Sequence, residues 1–369
     1  MKWLGRIAMA AAFLTAVFPA SALAEADAPE DRDVYTMVGL NGEAVMSLAG
    51  RIYPGDEYIS SGNQLYVVVE VDEAARRAVA QCLGEEPAYD GEIARAVFAY
   101  AGANTAEGGK KLIAMYSTHS DESYEKGDGA ASLEGSGGIY DVDEALKKQL
   151  EKLGIEVALD TTTHLPHDAK AYSRSRRTAE ELMKLGPDAI LDIHRDGIPD
   201  ESEYETTVDG GETSKVRLLV GRSNPNASVN REFAKQLKAV ADEKYEGLIK
   251  DIFIGKGDYN QGISPKSLLL EFGTHTTDKD QAIDATKYMA DVLNTALYGD
   301  SAKAEGAGGS GSALRGFGWL ATVAALGGLI YALVSTGTLK NLGAKLSGGA
   351  SELTGGLLGR RDDDPDDEE

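Results

Sequence analysis

Three of the five histidines in this 369-residue chain follow apolar runs that are typical of buried β-strands. His119 lies in the segment YSTHSDESY, His194 lies in DIHRDG, and His275 comes shortly after LLLEFG. In α/β proteins the loops at the carboxyl ends of strands form the ligand site. The positions of these histidines therefore predict a functional site at one edge of a sheet.

The residue types near two of these histidines match a catalytic zinc site. Such a site takes three protein ligands of the histidine and carboxylate type and leaves one position for water. His119 and Glu122, three residues apart in one loop, and His194 from another strand end supply that set without cysteine. Glu271 interrupts a strongly apolar strand, where an ionised carboxylate is costly unless it is paired or functional. We predict that the three residues bind zinc and that Glu271 transfers protons; the alternative is solvated surface side chains.

Other catalytic chemistries have weaker support. Cys82 is the only cysteine, so the chain can form neither an intramolecular disulfide nor a cysteine-rich zinc site, and we expect a structural role for it. The chain contains neither a G-x-S-x-G nucleophile elbow nor a glycine loop followed by Lys-Ser/Thr. His164 and His167 flank a proline and are predicted to be surface histidines, with substrate contact as the alternative.

The composition limits the class of protein. With 42% hydrophobic and 26% charged residues the chain can build a core, which excludes a disordered, collagenous or all-membrane protein. Its length predicts two soluble domains. Because 60 acidic residues outnumber 37 Lys and Arg, giving a formal charge of −23, no broad basic surface is available for phosphates. A nucleic-acid partner is therefore not expected.

The region between the two termini divides by its pattern. Residues 25–107 contain short β-rich runs separated by turn signals, which predicts a small all-β module. Residues 108–300 alternate apolar strands with amphipathic helices, which predicts an α/β catalytic domain with a mainly parallel sheet. One predicted helix carries apolar residues at helical spacing and stops at a glycine: Val142, Leu146, Leu150 and Leu153, then Gly154.

Both ends of the chain carry targeting patterns. Residues 1–24 combine a positive start, a short apolar run and a small-residue cleavage pattern, which predicts a signal peptide; an uncleaved anchor is the alternative. A Gly/Ser-rich linker at 301–316 precedes the uncharged segment 317–339, which is long enough to be a transmembrane helix. The basic residues that follow this segment predict that residues 340–369 lie in the cytoplasm. This tail ends in a run of acidic residues. We expect a single-pass protein of the cell membrane with an extracytoplasmic catalytic domain.

Several segments in order carry a family resemblance: THSDESY, GGIYDVDEALKKQLEKLGIEV, YSRSRRTAEELMK, DIHRDG and YNQGISPKSLLLEFG. Between about Lys110 and Leu297 the chain resembles stage II sporulation protein P, a cell-wall hydrolase family of endospore-forming bacteria related to the zinc N-acetylmuramoyl-L-alanine amidases. The resemblance implies an amidase-like fold and cleavage of the amide between muramic acid and L-Ala of the stem peptide in peptidoglycan. It also implies an endopeptidase cut within stem peptides and a role in septal wall remodelling during sporulation and engulfment. The partners that it implies are a lytic transglycosylase and a membrane scaffold.

The resemblance also assigns roles to residues. His119 and His194 look like zinc ligands, Glu271 looks like the catalytic glutamate, and Glu122 looks like the third ligand. Glu134 competes with Glu122, because related amidases place their ligand glutamate further after the first histidine. Two departures stand out: Ser117 replaces the first histidine of the usual His-Thr-His, and the predicted anchor is C-terminal rather than N-terminal.

The sequence therefore predicts a membrane-held zinc amidase that acts on peptidoglycan. Two alternatives remain open at this point. One is a catalytically inactive wall-binding scaffold of the same fold, and the other is a zinc peptidase with little amidase activity.

Overall fold

The computed structural model describes residues 33–86, 110–168 and 170–299. The first of these ranges forms five strands: β1 (Val34–Gly39), β2 (Ala44–Ala49), β3 (Glu57–Ser60), β4 (Gln64–Asp72) and β5 (Arg77–Glu85).

After residue 110 strands and helices alternate, as the apolar pattern predicts. The elements are β6 (Leu112–Tyr116), a short turn α1 (Glu125–Asp128), α2 (Ile139–Lys152), β7 (Glu156–Asp160), α3 (Ala171–Met183), β8 (Ala189–Asp196), β9 (Glu205–Val208), β10 (Gly211–Ser214), β11 (Val216–Gly221), α4 (Ala227–Lys244), β12 (Ile249–Gly255), β13 (Ser267–Thr274) and α5 (Lys279–Tyr298). Two 3₁₀ turns, Glu201–Glu203 and Gln261–Ile263, lie between them.

Helix α2 shows why the apolar spacing predicts these elements. Val142, Leu146 and Leu150 lie one turn apart and are fully buried, because residues i, i+4 and i+8 share one helix face. The helix ends before Gly154, which adopts a φ of 76° that favours glycine. Leu153, predicted on the same face, is exposed because it lies at the cap beyond the last helical turn.

One sheet runs through all three described ranges. Its strand order is β2-β1-β5-β4-β3-β12-β11-β13-β8-β6-β7, and β9 and β10 form a separate hairpin. The four neighbouring strands β13, β8, β6 and β7 run parallel, as predicted. β11 pairs antiparallel with β13 and parallel with β12, so the sheet as a whole is mixed.

The prediction of a β module set apart from an α/β domain is wrong for the sheet itself. β3 pairs antiparallel with β12, with Ile59 opposite Ile252, so the early strands extend the same sheet. The physical reason is that β12 would otherwise leave a backbone edge unpaired.

The two faces of the sheet bury different groups. Leu218, Ile252 and Leu270 point to one face, where they join the apolar sides of α2, α4 and α5 in a large core. Their neighbours one position along, among them Leu219, point to the other face and pack with residues of the first strands such as Met46. Side chains alternate between the two faces along a strand. Polar residues that lie two positions from residues such as Leu219 therefore share this second face.

Several predicted segments lie outside the described residues. They are the signal peptide 1–24, the linker 301–316, the transmembrane helix 317–339 and the tail 340–369. Among the helices of the three described ranges, none combines the length and apolarity that a bilayer crossing requires.

Candidate metal centre and active site

The three predicted metal ligands come together where two parallel strands end. His119 and Glu122 lie in the loop after β6, and His194 lies near the end of β8. β6 and β8 are parallel neighbours with Tyr116 opposite Asp192, so the loop after β6 passes beside the end of β8. His119, Glu122 and His194 therefore lie together at the sheet edge that the positions of the histidines in the sequence predict.

Glu122 connects the two histidines. Its Oε1 lies 3.1 Å from His119 Nδ1 and 3.2 Å from His194 Nδ1, and its Oε2 accepts a hydrogen bond of 2.9 Å from the backbone N–H of Arg195. One potential ligand atom of each of the three side chains lies within 4.8 Å of the other two. This donor set, two imidazoles and one carboxylate, is of the type that holds zinc in catalytic sites.

Opposing effects set the charges of this cluster. Burial alone would raise the pKa of Glu122, but the charge of His194 and the hydrogen bond from His119 hold it well below its usual range. Burial lowers the pKa of His119, and the neighbouring His167 and His194 act in the same direction. For His194, burial is outweighed by Asp192 and Glu122, which raise its pKa well above the usual range. The cluster thus retains an ionised carboxylate and attracts positive charge.

Asp192 contacts the His194 ring nitrogen that does not face Glu122. The His194 Nε2 atom lies 2.9 Å from Asp192 Oδ1, which is ion-pair distance. Asp192 is thus the electrostatic partner of this buried ring nitrogen. Thr118 fixes the Asp192 carboxylate with its backbone N–H at 2.8 Å and its hydroxyl at 2.6 Å. A carboxylate beside a ligating histidine orients the ring and raises its basicity.

Glu271 lies beside the cluster on the neighbouring strand. It is directly opposite His194 in the parallel pairing of β13 with β8, so both side chains point to the same face. The Tyr204 hydroxyl donates to Glu271 Oε2 at 3.1 Å, and Arg217 Nη1 lies 3.5 Å from the same oxygen. Burial first and the charge of Asp196 second raise the pKa of Glu271 to about 8. Such a carboxyl can exchange a proton near neutral pH.

Arg217 is a residue of this site that the sequence reasoning missed. Its side chain is 0% exposed, its Nε donates to Asp251 at 2.8 Å, and its Nη1 donates to Asp196 at 2.8 Å. The signal was present in the sequence, because Arg217 interrupts the apolar strand VRLLVG as Glu271 interrupts LLLEFG. A charge buried in a strand requires a partner, and here the partners stand opposite it on the next strands.

Comparison with known proteins identifies the family. The model of the family "Stage II sporulation protein P (SpoIIP)" matches residues 62–294, which is more than half of the chain. The chain belongs to the SpoIIP family. The stage II sporulation protein P of Bacillus subtilis (strain 168) is 28% identical over 221 residues, covering 55% of this chain and 55% of that protein. The chain thus spans about half the length of the curated relative that it matches.

Solved amidase structures resemble parts of the SpoIIP chain more distantly. An N-acetylmuramoyl-L-alanine amidase from Clostridium difficile 630 is 15% identical with a TM-score of 0.33, covering 51% of this chain and 95% of that one. The amidase AmiC2 of Nostoc punctiforme is 15% identical with a TM-score of 0.31, covering 51% and 96%.

Ser117 shows how this SpoIIP chain does without the first histidine of the usual His-Thr-His. The Ser117 hydroxyl donates to Asp143 Oδ2 at 2.9 Å, so this side chain serves the contact with α2 and not the metal centre. Burial raises the pKa of Asp143 to about 8, and Asp192 adds to the effect. The Asp143–Ser117 pair is therefore a buried structural contact behind the site.

The remaining candidate residues are placed differently. Glu134, the competing ligand, is exposed on the loop before α2. His275 follows β13, and its backbone N–H donates to the carbonyl of Asp196. Cys82 is exposed on β5, a strand of the early region.

The prediction of a surface histidine is wrong for His164, whereas His167 is partly exposed. His164 is buried, and both of its ring nitrogens have polar partners. One lies 3.0 Å from the carbonyl of Ser117 and the other lies 3.0 Å from the hydroxyl of Thr178. The His167 ring stacks on that of His119 with centroids 3.8 Å apart, and its Nδ1 lies 3.1 Å from Asp121 Oδ1. The loop folds inward onto the site, which sequence spacing does not reveal.

Proposed function

We propose that this SpoIIP chain is a zinc-dependent peptidoglycan hydrolase that cleaves the N-acetylmuramoyl-L-alanine amide bond. The observation that carries the proposal is the assembly of His119, Glu122 and His194 beside Glu271 at the ends of adjacent strands. Membership of the SpoIIP family supports the choice of a sporulation peptidoglycan hydrolase. The cut within stem peptides implied by the resemblance is the secondary activity of the same site.

The residues divide the chemistry of amide hydrolysis. Zinc held by His119, Glu122 and His194 would supply a Lewis acid, an activated water and positive charge that lowers the pKa of Glu271 towards its basic form. Glu271 takes a proton from the attacking water as the new carbon–oxygen bond forms. It then passes that proton to the amide nitrogen as the carbon–nitrogen bond breaks. The products are the lactyl carboxylate of muramic acid and a stem peptide with a free amino terminus.

The test is digestion of purified peptidoglycan by the full-length chain, with zinc and with a chelator, and identification of the released fragments by mass. Free stem peptides that begin at L-Ala, lost with chelator and in His194→Ala, are the expected result. Cut peptides with the lactyl-alanine bond intact would replace the amidase with a zinc peptidase. No release by folded, zinc-replete protein would replace it with a wall-binding scaffold.

We further propose that segment 317–339 holds the protein in the cell membrane, with the Gly/Ser linker 301–316 giving the catalytic region reach into the wall. Extraction of membranes at alkaline pH tests this, because a spanning helix stays with the lipid. A chain that ends at residue 316 should then appear in the soluble fraction. The lytic transglycosylase and membrane scaffold partners stay predictions.

A further inference from the structure

Strand β2 lies at one end of the strand order, yet its backbone contacts side chains from the middle of the sheet. The carbonyl of Ser47 accepts a hydrogen bond of 2.9 Å from Arg217 Nη2 on β11. The N–H of Ala49 donates to Asp196 Oδ1 on β8 at 3.3 Å. The sheet therefore curls until its first strand lies over the face that carries Glu271 and His194.

The groups that make these contacts belong to the free edge of β2. β1 and β2 pair antiparallel, and the backbone N–H of Gly50 donates to the carbonyl of Asp33, so the backbone groups of Gly50 face β1. Backbone groups alternate in direction along a strand, so those of Ser47 and Ala49 face away from β1. Edge strands commonly leave such groups to solvent or to another chain. Here an arginine and an aspartate of the site satisfy them.

These contacts complete a fixed arrangement around Arg217. Its guanidinium donates to both oxygens of Asp251, to Asp196 Oδ2 and to the Ser47 carbonyl, and a planar guanidinium held on several sides cannot rotate. The Tyr204 hydroxyl lies 2.9 Å from Asp196 Oδ2 and 3.1 Å from Glu271 Oε2, and its one proton is shared between the two carboxyl groups. Both groups that reach Glu271 are thus tied to Asp196 and, through it and Arg217, to β2.

We propose that strand β2 is a positioning element of the active centre, holding Arg217 and Asp196, and through them Tyr204, in the arrangement that fixes Glu271 beside His194. The inference rests on the proposed hydrolytic function and extends it to residues 44–49, which precede the family match at 62–294. Arg217 and Tyr204 are positioning residues in this scheme, since they act through Glu271.

The direct test removes one backbone donor from β2. Ala49→Pro deletes the N–H that faces Asp196, and proline is tolerated there because that N–H does not belong to the β1–β2 ladder. In the full-length chain we expect kcat on a soluble muramoyl-peptide to fall about tenfold, with KM and zinc affinity unchanged. Ala49→Gly keeps the N–H and is the matched control, with kcat expected within about twofold of wild type.

A second variant tests whether β2 and Tyr204 act through the same network. Tyr204→Phe removes the hydroxyl that reaches Glu271, and we expect a loss in kcat of about tenfold with zinc affinity retained. If both changes act through one arrangement, the double variant Ala49→Pro/Tyr204→Phe should be no slower than the slower single variant. Losses that multiply to about a hundredfold would overturn the inference.

The other outcomes also decide. Folded Ala49→Pro with wild-type kcat overturns the inference. If circular dichroism shows that this variant does not fold, Arg217→Lys replaces it, because lysine cannot make the forked contacts to Asp251 and Ser47; wild-type kcat there is equally contrary. A wild-type chain without turnover overturns the proposed function and this inference with it, whereas wild-type turnover with unaffected variants overturns the inference alone.

Discussion

Glu122 keeps a negative charge at a buried position where burial alone favours the neutral form. The cost is offset by two imidazoles at 3.1 Å and 3.2 Å from the same carboxylate oxygen. A surface carboxylate needs no such surroundings. The local electrostatics therefore favour Glu122 over the exposed Glu134 as the third ligand.

This difference gives a prediction about zinc affinity. Glu122→Gln removes the charged ligand from the cluster, so the affinity of the full-length chain for zinc should fall by about 100-fold or more, as measured by titration calorimetry. Glu134→Gln is the matched control, and its affinity should equal that of wild type. The opposite pattern, with zinc lost in Glu134→Gln and kept in Glu122→Gln, would return the ligand role to Glu134.

Glu271 is predicted to matter for turnover and not for folding or metal binding. Gln has nearly the same shape and can still accept the hydrogen bond from Tyr204, but it cannot take up and release a proton. Glu271→Gln should lower the release of stem peptides by about 1,000-fold while zinc affinity and the melting temperature stay close to wild type. Glu212→Gln, at an exposed position of the β9–β10 hairpin, is the control. Wild-type turnover in Glu271→Gln would remove the residue from the mechanism.

At the scale of the elements, local patterns predicted what depends on neighbours in sequence. The spacing of Val142, Leu146 and Leu150 predicts α2 because a helix face is set within two turns. The convergence of His119, Glu122 and His194 was equally predictable, since the ends of neighbouring parallel strands lie at the same edge of a sheet. The Arg217 network was not, because Ser47 and Arg217 meet only when the sheet curls, and 170 residues separate them. Pairing across such separations is decided by the packing of the whole chain.

The buried contact between α2 and the loop after β6 makes stability depend on pH. The pKa of Asp143 is raised to about 8 by burial, whereas the pKa of an unfolded aspartate is about 3.9. Between these values the folded state binds a proton that the unfolded state releases, so the free energy of unfolding falls as pH rises. The limiting slope is about 1.4 kcal/mol per pH unit.

Asp143→Asn should remove this dependence. We expect the variant to melt at a higher temperature than wild type at pH 7 and at nearly the same temperature at pH 4, in melts of the full-length chain followed by circular dichroism. Glu144→Gln on the same helix is the control, because that side chain is 62% exposed and should change the melting temperature little at either pH. A difference in melting temperature for Asp143→Asn that does not grow with pH would contradict the assignment.

At the scale of the whole described molecule, the early strands and the later α/β elements share backbone hydrogen bonds and ion pairs. β3 pairs with β12, and two arginines reach across the junction, with Arg222 2.8 Å from Asp56 and Arg231 2.6 Å from Glu57. The second core contains residues of both regions, including Met46 and Leu219. Neither region can therefore expose its side of this junction without exposing that of the other.

We accordingly predict that residues 34–85 and 112–298 unfold in one cooperative step. In hydrogen exchange at increasing urea, peptides from β3 and from β12 should lose protection with the same midpoint, because each strand forms the other's ladder. If residues 34–85 lost protection first while β12 stayed protected, the early strands would be an independent module, and their edge could not hold Arg217 in the active centre.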